Sequence, residues 1–220
     1  MSPKPVTLCG HNSDPNAWKV AIILEELDIP YTQKMIDFPD IKKESYKSIN
    51  PNGRVPAIQD PNTGIMLSES GVIIEYLIET YDKQYNISFI PGSEKYYKAK
   101  QWLYFQVSGQ GPYFGQAVWF NLYYPEKLHS VSVVDRYINE IRRVSGVLER
   151  ALQDKSYLVG DKLSHADAAF VTWYTVVSLF ADRINFETNF PLVYAWLERM
   201  KARPPISKIL QDRDAAMKAK

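Results

Sequence analysis

Two short stretches hold the residues best suited to chemistry. Asn50-Pro51-Asn52-Gly53-Arg54-Val55-Pro56 runs directly into an apolar pair, Ala57 and Ile58, and thirteen residues beyond Pro56 comes Glu69-Ser70-Gly71. Arg-Val-Pro before a strand predicts a turn built on a proline peptide bond, the kind of bond that goes cis cheaply. A cis bond at Val55–Pro56 aims the amide and carbonyl of Val55 outward, where they can pair with a peptide-like ligand. Glu69-Ser70 opens the apolar-periodic run Ile73, Tyr76, Leu77. Backbone N–H groups at such a helix start attract a carboxylate. Ser70 adds a hydroxyl, and Glu69 can hold an ammonium. A backbone-pairing edge beside an amino-acid clamp is what a small γ-linked peptide requires. The plainer reading is a tight turn followed by an ordinary helix cap.

A third stretch, Ser13-Asp14-Pro15-Asn16, enters the first apolar-periodic segment. Asn16 offers an amide donor and Ser13 a hydroxyl; such donors at a helix start stabilise a thiolate. Asn cannot act as a general base, so any role for it is electrostatic. Asn also suits a plain N-cap, and the local sequence leaves both readings open. Cys9 sits in a predicted strand and reads as a buried small hydrophobe rather than a nucleophile. His11, His129 and His165 share no metal-ligand spacing, so no metal is expected.

Composition narrows the class. The chain has 220 residues, enough for one large domain or two small ones, and its formal net charge is +1, which favours neither nucleic acid nor a membrane surface. Hydrophobic residues make up 45%, which supports a sizeable core. No apolar run approaches the ~18 residues of a transmembrane span, and Met1-Ser2-Pro3-Lys4 opens no secretory signal. A lone cysteine excludes a disulfide framework and fits a reducing, cytoplasmic compartment.

Those residues need positioning elements. Val6–Cys9 and Tyr31–Ile36 read as strands on either side of a helix carrying Val20, Ile23, Leu24 and Leu27 on one face. A short helix around Ser45, Tyr46 and Ile49 follows. Then come strands Ala57–Asp60 and Ile65–Leu67 about a Pro61-Asn62-Thr63-Gly64 turn, and a helix over Ser70–Tyr81. Beyond a linker at 85–93 only helical periodicity remains. Aromatic-rich Tyr96–Gln116 should bend at Gly109, Gly111 and Pro112, and Val133–Leu152 is amphipathic. Ser164-His165-Ala166-Asp167 reads as a capping box, and Arg203-Pro204-Pro205 stops a helix near Ala202. Lys208, Lys218 and Lys220 read as a solvated tail. Most of the aromatics Trp102, Tyr104, Phe105, Tyr113, Phe114, Trp119, Phe120, Tyr123 and Tyr124 are expected in the core, with some lining an apolar pocket.

The Val-Pro…Glu-Ser pair and the order β-α-β-α-β-β-α resemble the glutathione transferase superfamily, over essentially the whole chain. The resemblance implies an α/β plus all-α fold: a thioredoxin-like, glutathione-binding N-terminal domain over 1–84, and an all-helical domain over 94–220 that lines the second-substrate site. Ser13 and Asn16 stand where a thioredoxin places its two cysteines, so the thiol must come from outside, and glutathione is the candidate. His11-x-Ser13-x-Pro15-Asn16-x-x-Lys19-Val20, Asn50-Pro51-Asn52-x-Arg54-Val55-Pro56, Gly109-x-Gly111-Pro112, Arg136-Tyr137 and Leu158-Val159-Gly160-Asp161-Lys162-Leu163 resemble the transferase relatives of the fungal nitrogen-catabolite regulator. Bacterial glutathione-dependent disulfide reductases share much of this pattern.

The resemblance implies that Asn16, with Ser13, approaches the glutathione sulfur, and that Arg54, Val55, Pro56, Glu69 and Ser70 hold the peptide. Arg136 would help to hold the peptide or its disulfide. Arg54 on its own reads as structural or as part of a subunit interface. Ile41 falls where the family contacts the glycyl carboxylate and cannot make that contact; Lys42 is the substitute candidate. Cys9 and Gly10 stand where relatives carry an aromatic and a small polar residue. The Asn-rich segment of the regulator is absent, which favours an enzyme. Expected partners are glutathione or oxidised glutathione, with an apolar electrophile, disulfide or peroxide as second substrate, in a homodimer. The alternatives to a detoxifying transferase are a disulfide reductase or peroxidase and a non-catalytic glutathione-binding regulator.

Overall fold

The computed structural model describes residues 3–125 and 132–219; Met1, Ser2, His129 and Lys220 lie outside them. The chain divides into two compact units, Met1–Pro91 with Lys201–Lys220, and Gly92–Met200.

The first unit is built on a four-stranded mixed sheet in the order β2-β1-β3-β4. Its strands are β1 (Val6–Gly10), β2 (Tyr31–Met35), β3 (Ala57–Asp60) and β4 (Ile65–Ser68). β1 runs parallel to β2, and β3 is antiparallel to both β1 and β4. Val6, Leu8 and Cys9 are fully buried, as suits a central strand covered on both faces. Helix α1 (Pro15–Glu26) buries nine of its residues, from Pro15 through Leu24. It lies so close to β1 that a Cβ on Gly10 would come within 2.6 Å of the Ala17 Cβ, so only glycine fits there. A short helix, α2 (Glu44–Lys47), precedes β3, and α3 (Ser70–Tyr81) follows β4 and packs on α1.

The last helix of the chain, α10 (Pro204–Lys218), also packs on α1. Arg203 donates two hydrogen bonds of 2.8 Å to the Glu26 carboxylate, and Lys208 reaches Glu25 at 2.5 Å. Lys208 is therefore not part of a solvated tail. Residues 201–220, read from sequence with the helical domain, cluster with the sheet instead, because α10 buries Ile206 and Ile209 against it.

The second unit is helical. In chain order it contains α4 (Glu94–Phe105), α5 (Gly111–Val118), α6 (Ser132–Ala151), α7 (His165–Tyr174), α8 (Phe186–Asn189) and α9 (Pro191–Lys201), whose last residue belongs to the other unit. The expected bend at Gly109–Pro112 takes the form of a π-turn, Gln106–Gln110, joining α4 to α5 without a break. The Gln106 amide donates to Gln110 Oε1 at 3.0 Å, and the Gln110 amide donates to the Phe170 carbonyl at 3.3 Å, so the widened turn keeps its buried polar groups paired.

The capping box at Ser164–Asp167 is present. Asp167 is a buried hub that accepts from the Leu158 N–H, the Ser164 N–H and hydroxyl, and the Trp196 indole. The aromatics of 102–124 mostly lie outside the core: of the nine named above only Phe114 is buried, while Tyr104, Trp119 and Tyr123 are exposed. For Trp102, Tyr104 and Phe105 the reason is local, since α4 buries only Ala99 and Leu103, a single narrow stripe. Among the described residues no helix is long and apolar enough to cross a membrane.

Asp60 ties the β3–β4 hairpin to α3. It accepts hydrogen bonds from the Tyr76 hydroxyl at 2.6 Å, from the Tyr81 hydroxyl, and from the backbone and side chain of Asn62. Burial pushes its carboxyl up, but these bonds outweigh burial and hold it below its ordinary value. A carboxyl depressed in this way stabilises the fold above its unfolded pKa of ~3.9 and loses that contribution as pH falls through the lower folded value. Tyr81→Phe should cost roughly 1.5–3 kcal/mol at pH 7, the usual worth of a bond to a charged acceptor. Thermal melts should show the difference from the parent shrinking below pH 4, and a gap that stays constant down to pH 2.5 would rule the linkage out.

Candidate functional site

One row of backbone pairing gathers the candidate residues. Cys9 lies opposite Ala57, and Ala57 lies opposite Ser68. The end of β1, the start of β3 and the end of β4 therefore meet at the same end of the sheet. The three segments attached there are the loop 11–14, the turn at Val55–Pro56, and Glu69–Ser70.

The Val55–Pro56 peptide bond is cis. Its approach is held from several sides. The Asn50 amide donates to the Arg54 carbonyl at 2.6 Å, and the Tyr46 hydroxyl donates to the same carbonyl at 2.9 Å. Lys42 Nζ donates to the Gly53 carbonyl at 2.7 Å, so part of its donor capacity is spent on the turn. Gly53 has φ +57°, and a Cβ there would press within 2.9 Å of the Ile41 carbonyl, so glycine is required. Pro56 is buried, Val55 half-buried and the Arg54 side chain exposed. Ile41 packs into a small core with Cys9, Tyr46 and Ala57, which is why an apolar residue stands there. Cys9 is the inert residue expected: burial pushes its thiol up.

At the second segment Glu69 precedes α3 with φ +70°, a conformation a non-glycine residue adopts at a cost of order 1–3 kcal/mol. It is exposed, while Ser70, the first residue of α3, is buried.

At the third segment the structure decides one open point. The N-cap of α1 is Asp14, whose carboxylate accepts from the N–H groups of Asn16 at 3.3 Å and Ala17 at 3.0 Å, with Pro15 as the first helical residue. Asn16 is thus not the cap but the second residue of the helix. An Asp-Pro pair is the usual order for a helix start, so the sequence held this signal. The loop is pinned from behind: the Trp18 indole donates to the Asn12 carbonyl at 2.8 Å, and the Asn12 amide donates to the Ala216 carbonyl of α10 at 3.2 Å. His11, assessed from sequence only as a metal ligand, contacts Ser13 twice. Its Nδ1 lies 2.9 Å from the Ser13 hydroxyl and accepts the Ser13 N–H at 3.2 Å.

Beneath these residues lies a charged group that the sequence reading passed over. Lys19 is fully buried, with the carboxylates of Asp14 and Glu69 as its electrostatic partners. Burial pushes its ammonium down to about 7, against the upward pull of both carboxylates; burial also pushes the Asp14 carboxyl up to about 6. One lysine therefore balances charge at the starts of both α1 and α3. Arg136 lies on α6 of the helical unit and is exposed. That unit also contains an open recess of about 320 Å³ whose lining includes Lys95, Lys98, Lys155 and Trp102, a basic rather than an apolar surface. Among the described residues no group of three His, Cys, Asp or Glu could hold a metal ion.

Removing Lys19 leaves inward carboxylates without their counter-charge. Lys19→Met should lower stability by roughly 2–4 kcal/mol at pH 7, somewhat under the cost of breaking a fully buried pair because Asp14 keeps some exposure. The double change Asp14→Asn with Lys19→Met keeps a good N-cap and should recover most of the loss in urea denaturation. Equal losses in the single and double variants would rule out charge balance.

Comparison with known proteins identifies the family. Residues 8–85 match the family model for the glutathione S-transferase N-terminal domain, and residues 117–204 match that for the C-terminal domain. A glutathione S-transferase-like protein of Aspergillus terreus is 46% identical, over 94% of this chain and 94% of its own. The transcriptional regulator URE2 of Saccharomyces cerevisiae is 34% identical, over 93% of this chain and 67% of its own. The crystal structure of a Phanerochaete chrysosporium glutathione transferase with oxidised glutathione superposes with a TM-score of 0.93 at 40% identity, covering 98% of this chain and 97% of that one. With both halves matched and the likeness running from end to end, the chain belongs to the glutathione transferase family.

Proposed function

We propose that the protein is an enzyme that binds glutathione at the end of the sheet and stabilises its thiolate for attack on an electrophile. The observation that carries this reading is the convergence of the cis Val55–Pro56 turn with the starts of α1 and α3. The outward backbone of Val55 pairs with the cysteinyl residue. Glu69 and Ser70, with the N–H groups that open α3, take the ammonium and carboxylate of the γ-glutamyl group. Lys42 and Arg54 supply positive charge for the glycyl carboxylate, which Ile41 cannot contact. Arg136 contributes when a larger or oxidised peptide is bound.

Chemistry centres on Asn16 and Ser13 at the start of α1. A free thiol with pKa near ~8.5 is only a few per cent thiolate at neutral pH. The helix start and the Asn16 amide favour the anion electrostatically. The thiolate sulfur then attacks an apolar electrophile, and the leaving group departs with its electron pair. Holding both reactants together supplies much of the rate. The protein acts as a cytoplasmic homodimer in this reading.

A second reading, thiol–disulfide exchange or peroxide reduction by the same thiolate, is favoured by the Phanerochaete relative crystallised with oxidised glutathione. The lone buried Cys9 requires any resolving thiol to be a second glutathione.

Turnover of a chlorodinitrobenzene, hydroxyethyl disulfide and cumene hydroperoxide, measured side by side, tests the assignment. Activity on the first above the others supports conjugation, the reverse supports the second reading, and tight glutathione binding with no turnover points to a binding protein. Asn16→Ala should raise the pKa of the bound thiol and lower kcat by about tenfold, the worth of one lost charge-assisted bond, with modest loss of binding. An unchanged pH–rate profile would remove Asn16 from the chemistry. Glu69→Gln should instead weaken glutathione binding about tenfold or more in calorimetry, a loss of at least ~1.4 kcal/mol. Unchanged affinity would sink the clamp.

A further inference from the structure

Asn16 can stabilise a thiolate but cannot remove the thiol proton, and the geometry beside it supplies a route for that proton. His11 is almost fully buried, and its ring is stacked on Phe38 with centroids 3.9 Å apart. Its Nδ1 receives the backbone N–H of Ser13 at 3.2 Å. A backbone N–H can only donate, so Nδ1 is the unprotonated nitrogen and the ring proton sits on Nε2. The Ser13 hydroxyl, 2.9 Å from the same Nδ1, must then donate to it as well. Its hydrogen is committed inward, and its outer lone pairs are left to accept. In this state Ser13 cannot donate to a thiolate; it can take a proton from a thiol.

We infer that His11 is the proton acceptor for glutathione activation and acts through Ser13. This rests on the glutathione reading above and extends it. As the thiol S–H bond breaks, its proton passes to Ser13 Oγ while the Ser13 hydroxyl proton passes to His11 Nδ1. The sulfur keeps the electron pair as thiolate, the serine remains neutral, and the ring becomes imidazolium. The hydroxyl bond reverses in the same event: Nδ1–H now donates to Ser13 Oγ, and the Ser13 hydroxyl donates to the thiolate, while the Ser13 backbone N–H gives up its bond to Nδ1, a further cost that the new bond to the thiolate must offset. The pair that removes the proton thus becomes a second donor beside Asn16.

In water, transfer from a thiol of pKa ~8.5 to an imidazole of ~6.5 is about a hundredfold unfavourable. The start of α1, the Asn16 amide and the new Ser13 bond offset that cost, and the Phe38 face favours the cationic ring. The charged groups bearing on the loop are Asp14, whose backbone N–H donates to the His11 carbonyl at 3.0 Å, and Lys19 behind it, which balances Asp14.

The test uses the intact protein and ¹⁵N NMR of its three histidines. Glutathione should convert the His11 Nδ1 signal from an unprotonated to a protonated position. S-methylglutathione, which fills the same site without a thiol proton, should leave it unprotonated. In kinetics with a chlorodinitrobenzene, Ser13→Ala and His11→Gln should each lower kcat/KM at neutral pH by roughly a hundredfold and move the acid limb of the profile upward. The double variant should be no worse than the poorer single one, since both remove one relay. An Nδ1 that stays unprotonated with glutathione bound, additive losses, or an unshifted limb in either variant would overturn the inference. Failure of glutathione itself to bind the parent protein would overturn the glutathione reading, and this inference with it.

Discussion

The pairing of Cys9 with Ala57 and of Ala57 with Ser68 is the constraint on which the site depends. Cys9 is far in sequence from the hairpin that carries Ala57 and Ser68. Yet their register fixes which ends of which strands lie together, and so which loops can share a ligand. A slip of one residue in β3 would exchange the residues on its two faces and carry the Val55–Pro56 turn out of line with the starts of α1 and α3. The register is specified by burial, since Leu8, Cys9, Ala57 and Ile58 are all fully enclosed. Gly10, forced by the Ala17 contact, then allows α1 to descend onto this row.

Charge is handled by the same compact means. Helix starts favour anions, and those of α1 and α3 lie at the same end of the sheet. The protein nevertheless places carboxylates of its own, Asp14 and Glu69, at both. The buried Lys19 is the counterweight. A cation held away from water acts on the half-buried Asp14 with little screening and more weakly on the exposed Glu69.

Much of this was legible in the sequence, and the exceptions have a common cause. The strands, α1, α3 and the break before Pro204 follow from periodicity and turn residues, and Val55–Pro56 and Glu69–Ser70 stood out because special backbone conformations demand special residues. What stayed hidden depends on packing between distant segments. Nothing near residues 204–218 announces that Ile206 and Ile209 bury against the sheet unit, and no local pattern distinguishes Lys19, on the inner face of its helix, from a solvated lysine. Trp102, Tyr104 and Phe105 misled for the same reason: hydrophobicity shows what can be buried, while the narrow inward stripe of α4 decides what is. The placement of Asn16 inside the helix rather than at its cap was readable from Asp14-Pro15.

The closure of α1 by α10 has a consequence for how the protein is made. Glu26 and Arg203 are 177 residues apart, and the Asn12 amide finds its acceptor only at Ala216. While the chain is being synthesised, the sheet and α1 emerge early, but the surface awaiting α10 stays uncovered until nearly all the rest has left the ribosome. The loop that carries Ser13 is therefore completed only once α10 has emerged, although it is translated some two hundred residues earlier. Throughout that interval the nascent chain exposes an apolar face to solvent, and a chaperone able to shield it would have its longest opportunity there.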